Sequence, residues 1–256
     1  MNYPTIGIVT PSYNQGFFIK ETIDSVLGQQ YARLDYRVVD GGSTDDTLDI
    51  LNSYGSRIKW VSEKDDGQAQ AVNKGLKRIT SDIVAFINSD DAYLPGAFSS
   101  VGRYFHDHPE AMWLTGDHCI IDGNGKRIQP YVAGYKKMLR RHPGFSRLAV
   151  ANYIVQPSTF WRRKLVDEIG FFDESLQYCF DYDFWMRAIQ RYPLHVLDNK
   201  LSLFRIHGAS KGGSRFERQF AEEHQVLKRY STSKTLLGIH RLHAMLIVFA
   251  YRIVKR

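Results

Sequence analysis

Two adjacent carboxylates, Asp90 and Asp91, follow the apolar run at residues 84–87, with Asn88 and Ser89 in between. An apolar run of this length predicts a buried strand, and open α/β sheets bind ligands at the carboxyl ends of their strands. Neighbouring carboxylates repel each other unless a positive group lies between them or one takes a proton. A divalent cation with oxygen ligands meets this need, and its usual companion is a phosphate. A solvated Asp-Asp turn is the alternative interpretation.

Three earlier apolar runs, at residues 5–10, 36–39 and 58–62, also end in polar loops. Residues with helical spacing lie between these runs, so strands and helices alternate over residues 1–95. The alternation predicts an α/β fold with a mostly parallel sheet and helices on both faces. Neither the glycine-rich dinucleotide fingerprint nor the phosphate-binding P-loop sequence accompanies it.

The carboxyl ends of parallel strands lie at one edge of a sheet. Asp40 follows the second predicted strand, and Asp66 follows the third. We therefore expect both residues to lie beside Asp90 and Asp91 around a single crevice. Four carboxylate-bearing turns at one edge favour a ligand site over four separate solvated turns.

The second half of the chain loses this regular alternation. Further strands are predicted at residues 113–117, 118–121, 155–161, 194–197 and 201–206. A helix is expected to begin at Asp181, where the positive end of the helix favours a negative charge. Residues 135–147 are rich in Lys, Arg and His, and we find no internal repeat or low-complexity segment.

The composition narrows the classes of function. The chain has 256 residues, of which 43% are hydrophobic, and a formal net charge of +7. The positive balance favours anionic partners such as nucleotide diphosphates, lipid phosphates or an anionic membrane surface. No nucleic-acid-binding motif is found, so nucleic acid is not an expected partner. Two cysteines provide neither a disulfide framework nor a zinc spacing, and the N-terminal residues do not predict a signal peptide.

Taken together, these segments resemble the family 2 glycosyltransferases with the GT-A fold, which build bacterial surface polysaccharides. The resemblance is carried by residues 9–15, 39–45, 66–69, 73–75, 88–91, 181–187 and 205–207. The order and spacing of these segments make the match specific, and they span about residues 5–210. Two positions depart from the family pattern: Asn88 stands where the acidic motif often begins with Asp, and Phe180 stands where an acidic residue often precedes the catalytic Asp.

The resemblance implies a GT-A (Rossmann-like) domain over residues 1–210. Residues 1–95 would form its nucleotide-sugar half and residues 96–210 its acceptor half, and a smaller acceptor-side region would accompany the sheet. Residues 211–256 would form a C-terminal helical extension.

The implied reaction is inverting transfer of a sugar from a nucleotide diphosphate sugar, UDP-linked by default, to a hydroxyl of a lipid-linked glycan or oligosaccharide in polysaccharide or O-antigen synthesis. Inversion by direct displacement needs one base within hydrogen-bond reach of the acceptor hydroxyl. By its match to the family motif, Asp181 is the expected catalytic base. A helix cap is the alternative role for this residue.

The resemblance also implies a divalent metal, Mn²⁺ or Mg²⁺, that stabilises charge on the leaving diphosphate as a Lewis acid. Asp90 is the expected metal ligand. His207 is expected to be a further ligand or a pyrophosphate contact, and a surface-loop histidine is the competing interpretation.

Two sets of binding residues follow from the resemblance. The nucleotide-sugar site is expected to comprise Pro11, Tyr13, Asp40, Gly42, Asp66, Gly67, Gln68, Asn73, Asn88 and Asp91. The acceptor site is expected to comprise Gln156, Trp161 and Asp183, with the basic residues 136–147 facing a lipid-linked sugar diphosphate. For Tyr13, Trp161 and the basic residues, core packing or a solvated face is the alternative. Asp91 is alternatively a group that supports the metal ligand without contacting the donor, and Asp183 is alternatively a structural residue.

The C-terminal residues 236–254 are apolar with interspersed basic residues. Their longest uncharged run, residues 242–251, is too short to span a bilayer. A basic amphipathic helix lying on the inner face of the cytoplasmic membrane is one interpretation, which places a cytoplasmic enzyme peripherally on an anionic surface. A helix packed on the domain or in a homodimer interface is the other.

Two other functions compete with sugar transfer. A nucleotidyltransferase would need a glycine-rich phosphate loop with Lys or Arg near the first strand, and residues 11–16 contain none. A catalytically inactive nucleotide-sugar-binding module would be expected to lack Asp181 or the acidic pair, and both are present.

Overall fold

The computed structural model describes residues 3–208, 210 and 216–254. Its strands are β1 (Ile6–Ser12), β2 (Leu34–Asp40), β3 (Lys59–Ser62), β4 (Ile83–Phe86), β5 (Ala92–Tyr93), β6 (Trp113–Asp122), β7 (Thr159–Arg162) and β8 (His195–Ile206). Its helices are α1 (Ile19–Leu27), α2 (Thr47–Ser53), α3 (Gln68–Lys77), α4 (Ala97–Asp107), α5 (Pro130–Arg140), α6 (Phe145–Val150), α7 (Arg163–Ile169), α8 (Phe180–Arg191), α9 (Phe216–Tyr230) and α10 (Lys234–Val254). Short 3₁₀ turns lie at Gly55–Arg57 and Gln156–Ser158.

All eight strands form one sheet in the order β3-β2-β1-β4-β7-β6-β8-β5. The four strands of the N-terminal half pair in parallel, with β1 between β2 and β4. These are the four strands that the apolar runs predict, and the mixed α/β architecture is confirmed. Their parallel direction brings the loops that follow β1, β2, β3 and β4 to one side of the sheet.

The other half of the sheet is mixed. Strand β7 pairs antiparallel with both β4 and β6, whereas β6 and β8 pair in parallel. Residues 113–121, which the sequence divides into two strands, form the single strand β6 with a register shift at Asp117. Residues 195–206 likewise form one strand, β8, whose pairing with β6 passes through an irregularity between Val196 and Lys200 and then continues to Ile206.

The core is rich in aromatic side chains. Trp113, Trp161 and Trp185 are fully buried, and the ring of Trp185 stacks on that of Trp113 with centroids 5.7 Å apart. The C-terminal helices extend this packing, since α9 lies against α8 and α10 lies against α6. Among the residues that the structure describes, no helix combines the length and apolar character needed to cross a bilayer.

Candidate functional site

The loops that follow β1, β2, β3 and β4 bond to one another and form what we call the carboxyl edge. The backbone N–H of Asn14 donates to Ser43 Oγ at 2.8 Å, and Glu63 N–H donates to the carbonyl oxygen of Asp40 at 2.9 Å. Gln68 Nε2 donates to Asn88 Oδ1 at 2.5 Å. The four polar loops therefore meet at one edge of the sheet, as the parallel pairing predicts.

Asp90 and His207 lie together at this edge. His207 Nε2 is 3.0 Å from Asp90 Oδ2, although the two residues are 117 positions apart in the chain. The ring of His207 also packs against Phe18, with centroids 4.6 Å apart. The two side chains that the sequence nominates as metal ligands are thus neighbours, each partly open to solvent.

The donor set of this pair fits a hard or borderline divalent cation. In the described part of the chain, no cluster of three or more His, Cys, Asp or Glu side chains could hold a metal on protein ligands alone. Mg²⁺ sites in phosphate-handling enzymes commonly use one or two carboxylates and take further ligands from substrate phosphates and water. A site with Asp90, His207 and a diphosphate meets that description.

Arg205 fixes the loop that carries Asp90. Its Nε donates to the Asp90 carbonyl oxygen at 2.7 Å, and its guanidinium pairs with Glu21 at 2.5 Å. Its backbone N–H donates to Asp91 Oδ1 at 2.8 Å. Because His207 lies two residues further on, these bonds hold both members of the pair in place. The sequence motif contains Arg205 but gives no indication of this role.

The structure corrects the predicted roles of Asp91 and Asp40 as direct nucleotide-sugar contacts. Asp91 is only 1% exposed, and its oxygens accept from Arg205 N–H and Asn88 Nδ2. Burial and the adjacent Asp90 charge raise the pKa of Asp91 well above its ordinary value. Asp40 is fully buried and accepts four hydrogen bonds from its own loop and from Ser62. Both carboxylates hold loops rather than ligand.

The structure also corrects the predicted nucleotide-sugar contact of Asn73. Its side chain is buried in α3, where Nδ2 donates to the Phe172 carbonyl oxygen at 2.9 Å and to Glu174 at 2.8 Å. Its Oδ1 accepts from Phe172 N–H at 3.1 Å. All of its polar atoms are therefore used to hold residues 172–174, so a donor contact by Asn73 is wrong.

The remaining residues nominated for the nucleotide sugar are more accessible. Tyr13 is 61% exposed, whereas Pro11 is buried in β1, so only Tyr13 of these two presents an open face. Gly42 and Gly67 have φ angles of +85° and +138°, which favour glycine and bring backbone to the crevice surface. Asp66, Gln68 and Asn88 are exposed or partly exposed at the same edge.

Asp181 lies in the first turn of α8 and lines a cavity of about 430 Å³, which we call the Asp181 cavity. The N-cap residue of α8 is Cys179, and Asp181 Oδ1 accepts from the backbone N–H of Tyr182 in the first helical turn at 2.8 Å. Gln156 lines the same cavity and donates from Nε2 to the carbonyl oxygen of Phe86, the last residue of β4, at 2.7 Å. The cavity therefore adjoins the carboxyl edge.

The segment that leads into α8 is held from both sides. Residues 172–174 are bonded to Asn73, as described above. On the other side, the Glu222 carboxylate of α9 accepts from the backbone N–H groups of Gln177, Tyr178 and Cys179 at 3.0, 2.7 and 2.7 Å. Glu222 thus ties the N-terminus of α8, and Asp181 with it, to the C-terminal helices. No sequence motif marks this residue.

Two of the three predicted acceptor residues are corrected by their burial. Trp161 is fully enclosed among aromatic rings of the core, so it cannot contact an acceptor. Asp183 is also buried, where it pairs with Arg187 at 3.0 Å and accepts from the Tyr230 hydroxyl at 2.6 Å. Of the three, only Gln156 lies at the Asp181 cavity.

The basic residues 136–147 do not form a single anion-binding face. Arg140 is buried and pairs with Asp117 at 2.7 Å, which corrects its predicted role toward a sugar diphosphate. Lys136 points instead into the Asp181 cavity. Burial lowers the pKa of Lys136 to about 8.

Comparison with known proteins identifies what this arrangement resembles. Residues 7–170, more than half of the chain, match the family model described as Glycosyl transferase family 2. An uncharacterized glycosyltransferase of Rickettsia felis is 28% identical over 229 residues, which cover 88% of this chain and 37% of that protein. The putative teichuronic acid biosynthesis glycosyltransferase TuaG of Bacillus subtilis is 42% identical over 133 residues, which cover 50% of this chain and 52% of that protein.

The chain spans less than two thirds of the length of these curated relatives. Among solved structures, S. aureus TarS residues 1–349 in complex with UDP-GlcNAc matches with a TM-score of 0.69 and 20% identity, over 87% of this chain and 65% of that one. The mannosyltransferase PcManGT of Pyrobaculum calidifontis, in complex with GDP-Man and Mn²⁺, matches with a TM-score of 0.71 and 18% identity, over 96% and 70% of the two chains. These likenesses confirm the GT-A fold.

Proposed function

Because the chain belongs to glycosyl transferase family 2, we propose that it transfers a sugar from a nucleoside diphosphate sugar to a hydroxyl of a glycan acceptor with inversion. The observation that carries this proposal is the position of Asp181. Its carboxylate lines a cavity that adjoins, through Gln156 and Phe86, the edge where Asp90 and His207 lie. A base and a diphosphate site on adjoining surfaces are what direct displacement requires.

In this reaction, the acceptor oxygen forms a bond to the anomeric carbon while the bond from that carbon to the diphosphate oxygen breaks. The acceptor hydroxyl gives its proton to the Asp181 carboxylate, and the bonding electrons of the broken bond leave with the nucleoside diphosphate. A carboxylate within hydrogen-bond reach of the hydroxyl is sufficient as the base.

Asp90 and His207 would hold a divalent cation, Mn²⁺ or Mg²⁺, together with the donor diphosphate. When bound, the cation supplies Lewis-acid stabilisation of the charge that develops on the diphosphate. The chain's own contribution is to orient the pair: Arg205 fixes the Asp90 loop, and Phe18 supports the His207 ring.

The donor and acceptor follow from the relatives by analogy. We assign a UDP-sugar as the default donor and a lipid-linked or oligosaccharide chain of a surface polysaccharide or O-antigen as the acceptor. The resemblance to TuaG, described as a teichuronic acid biosynthesis enzyme, supports the polysaccharide assignment, and TarS with UDP-GlcNAc supports the donor class.

The outer face of α10 supports a place at the inner surface of the cytoplasmic membrane. Large apolar side chains on this face are exposed to solvent: Ile239, Leu242, Met245, Leu246 and Phe249. Residues 234–256 contain five Lys and Arg residues and no Asp or Glu, so their charge complements anionic lipid. A second copy of the chain is the competing occupant of this face.

Flotation with anionic liposomes tests the membrane assignment. Leu246→Glu should reduce lipid binding, because it places a charge in the middle of the apolar face. Met138→Glu is the matched control, since Met138 is similarly exposed but lies on α5. Equal flotation of the two variants and of the unmodified protein, or a dimer that Leu246→Glu dissociates, would refute this assignment.

A thermal-shift screen of nucleotide sugars with Mn²⁺ tests the catalytic assignment, since a ligand that binds only the folded state raises its stability. Donors that bind are then incubated with saccharide acceptors, and the products are identified. Nucleoside diphosphate release that depends on Asp181 supports sugar transfer. Pyrophosphate release would indicate a nucleotidyltransferase, and donor binding without turnover would indicate an inactive binding module.

A further inference from the structure

The Asp181 cavity has a wall that the family match, which ends at residue 170, does not include. Helices α9 and α10 contribute Gln219, Phe220, Glu223, His243 and Ile247 to its lining. The Tyr135 hydroxyl and His243 Nε2 are 2.9 Å apart and join α5 to α10 across the cavity rim. The C-terminal helices therefore determine part of the cavity's shape and chemistry.

The polar lining of this cavity is rich in hydrogen-bond acceptors. The Oε1 atoms of Gln129 and Gln156 are buried, and no described residue donates a hydrogen bond to either. For Gln156 the amide orientation is defined, because Nε2 donates to the Phe86 carbonyl oxygen and Oε1 must point the other way. A buried polar atom without a partner costs about 1–3 kcal/mol. These two oxygens therefore favour a ligand that supplies donors.

Glu223 adds a third acceptor. Its side chain is only 3% exposed and lines the cavity opposite groups from α5 and α8. The Lys136 charge lowers the pKa of Glu223, but within the described residues the two side chains form no ion pair at 4.0 Å or less. A carboxyl group accepts a hydrogen bond whether or not it carries a proton. Lys136 Nζ makes one long bond, 3.4 Å, to the Ile154 carbonyl oxygen.

The rest of the lining is apolar and aromatic, with Tyr131, Tyr135, Phe204 and Phe220 among its members. Aromatic faces with a few convergent polar groups are typical of small-ligand sites. A phosphate or carboxylate ligand would meet two amide oxygens and two carboxyl groups, Asp181 and Glu223. Among the described lining residues, Lys136 is the one Lys or Arg side chain, and burial lowers the pKa of both lining histidines, His118 and His243. A sugar ring suits the same lining, because it combines apolar C–H faces with several hydroxyl donors.

We propose that the Asp181 cavity binds a neutral sugar ring of the acceptor, whose hydroxyls donate to Glu223, Gln129 and Gln156 while the reacting hydroxyl faces Asp181. This inference rests on the proposed function and narrows its acceptor to an uncharged saccharide terminus. It also makes Glu223, on the C-terminal helices, a specificity-determining residue.

Saturation-transfer NMR on the full chain in the presence of UDP and Mn²⁺ tests this proposal. The probes are a panel of p-nitrophenyl glycosides, and glycerol 3-phosphate serves as the anionic comparison. We expect signals from at least one neutral glycoside and none from glycerol 3-phosphate at equal concentration. Binding of glycerol 3-phosphate alone, or of neither class, overturns the proposal.

Two variants of one residue then assign the contact. Glu223→Met, which removes the acceptor but keeps the length, should weaken glycoside binding by roughly tenfold or more. Glu223→Gln keeps an acceptor oxygen and should remain within about threefold of the unmodified protein. Glu217→Gln, an exposed carboxylate on the same helix, is the control. Equal binding by Glu223→Met and Glu217→Gln overturns the role of Glu223.

The proposed function, sugar transfer, is tested by measurements other than glycoside binding. Loss of nucleotide-sugar binding, or turnover that does not depend on Asp181, would refute sugar transfer while leaving glycoside binding at the cavity unaffected. Conversely, Asp181-dependent turnover with glycerol 3-phosphate as acceptor would keep sugar transfer and overturn only the neutral-saccharide assignment.

Discussion

At the carboxyl edge, four loops that each follow a parallel strand bond to one another, whereas the Asp181 cavity is lined by segments between residues 118 and 247. Ligand groups at the edge come from short motifs directly after strands. Those of the cavity come from α8, α9 and α10, from Gln129 just before α5 and from the 3₁₀ turn that begins at Gln156, and several are single residues on helix faces. The ligand groups of the carboxyl edge are thus set by short stretches of sequence, whereas those of the Asp181 cavity are set by packing between segments that are distant in the chain.

Because of this difference, the cavity can change without a change at the carboxyl edge. Replacing α9 or α10 would alter the cavity without touching Asp90, His207 or their supporting Arg205. We infer that the edge keeps the common chemistry of the donor, while the C-terminal helices adapt the acceptor. The predictions below test whether the two regions contribute separately.

The largest effect is expected from Asp181→Asn, which removes the proposed base but keeps the side-chain shape. General-base catalysis typically contributes about 10²–10⁴-fold, so kcat should fall by roughly that factor while donor affinity is unchanged. Turnover is measured as nucleoside diphosphate release, and donor affinity by thermal shift.

Asp183→Asn is the matched control on the same helix. Asp183 is buried against Arg187 and Tyr230, so its loss should lower the free energy of unfolding by about 1–3 kcal/mol. The folded fraction should keep its turnover. Near-normal activity of the folded Asp181→Asn protein would show that Asp181 is not the catalytic base. The Asp181 cavity would then not supply the base for the reaction at the carboxyl edge.

Metal removal should act only at the carboxyl edge. Chelation is expected to abolish transfer, and His207→Ala should raise the Mn²⁺ concentration for half-maximal activity by roughly tenfold or more. Glycoside binding at the Asp181 cavity, measured with UDP, should change far less than turnover. Full activity in chelator would refute a metal at Asp90 and His207.

Glu222 connects the C-terminal helices to the segment before α8. Its replacement tests whether α9 positions Asp181 without affecting donor binding. Glu222→Ala leaves three backbone N–H groups before α8 without their carboxylate. We expect kcat to fall by about tenfold because Asp181 is less well placed, while the KM for the donor is unchanged.

Glu217→Ala, at an exposed carboxylate five residues earlier on α9, is the control for this experiment. A purely structural role for Glu222 would lower the melting temperature without changing the kcat of the folded enzyme. A rise in donor KM in place of the kcat loss would instead connect α9 to the carboxyl edge.

The sequence predicts the edge better than the cavity for a physical reason. An apolar run that ends in a polar loop locates a strand end, and parallel pairing then brings such loops together. The same reasoning does not reveal which side chains are buried. Asp40, Asn73 and Asp91 match family motifs, yet each is buried and holds a loop. Trp161 is a further example, because it lies near a site in the sequence pattern but is buried in the core.

The cavity residues give no comparable signal. Glu222 and Glu223 are adjacent in the sequence, but helix geometry points one at the backbone before α8 and the other into the Asp181 cavity. Neither residue belongs to a spaced motif, and the residues they face lie more than 40 positions away. Only the packing of α9 on α8 reveals them.

The smallest effect is expected from Glu223 on stability, as a function of pH. Burial raises the pKa of Glu223 to about 8; Lys136 lowers this pKa and Asp181 raises it further. The unfolded chain releases this proton near pH 4.5, so the folded state binds more protons between about pH 4.5 and 8 and loses stability as pH rises through that window. Burial lowers the pKa of Lys136 to about 8, so this group titrates at the upper end of the window, and it is present in both proteins compared below.

Glu223→Gln cannot ionise and should escape this loss. Its free energy of unfolding should match that of the unmodified protein near pH 4.5 and exceed it by more than about 1 kcal/mol at pH 8, since one pKa unit corresponds to about 1.4 kcal/mol. Urea titrations at the two pH values measure the difference. A constant difference across the window would show that Glu223 is ionised and solvated in the folded state. The cavity wall formed by α9 would then be open to water, and the contrast between a solvent-facing edge and an enclosed cavity would not hold.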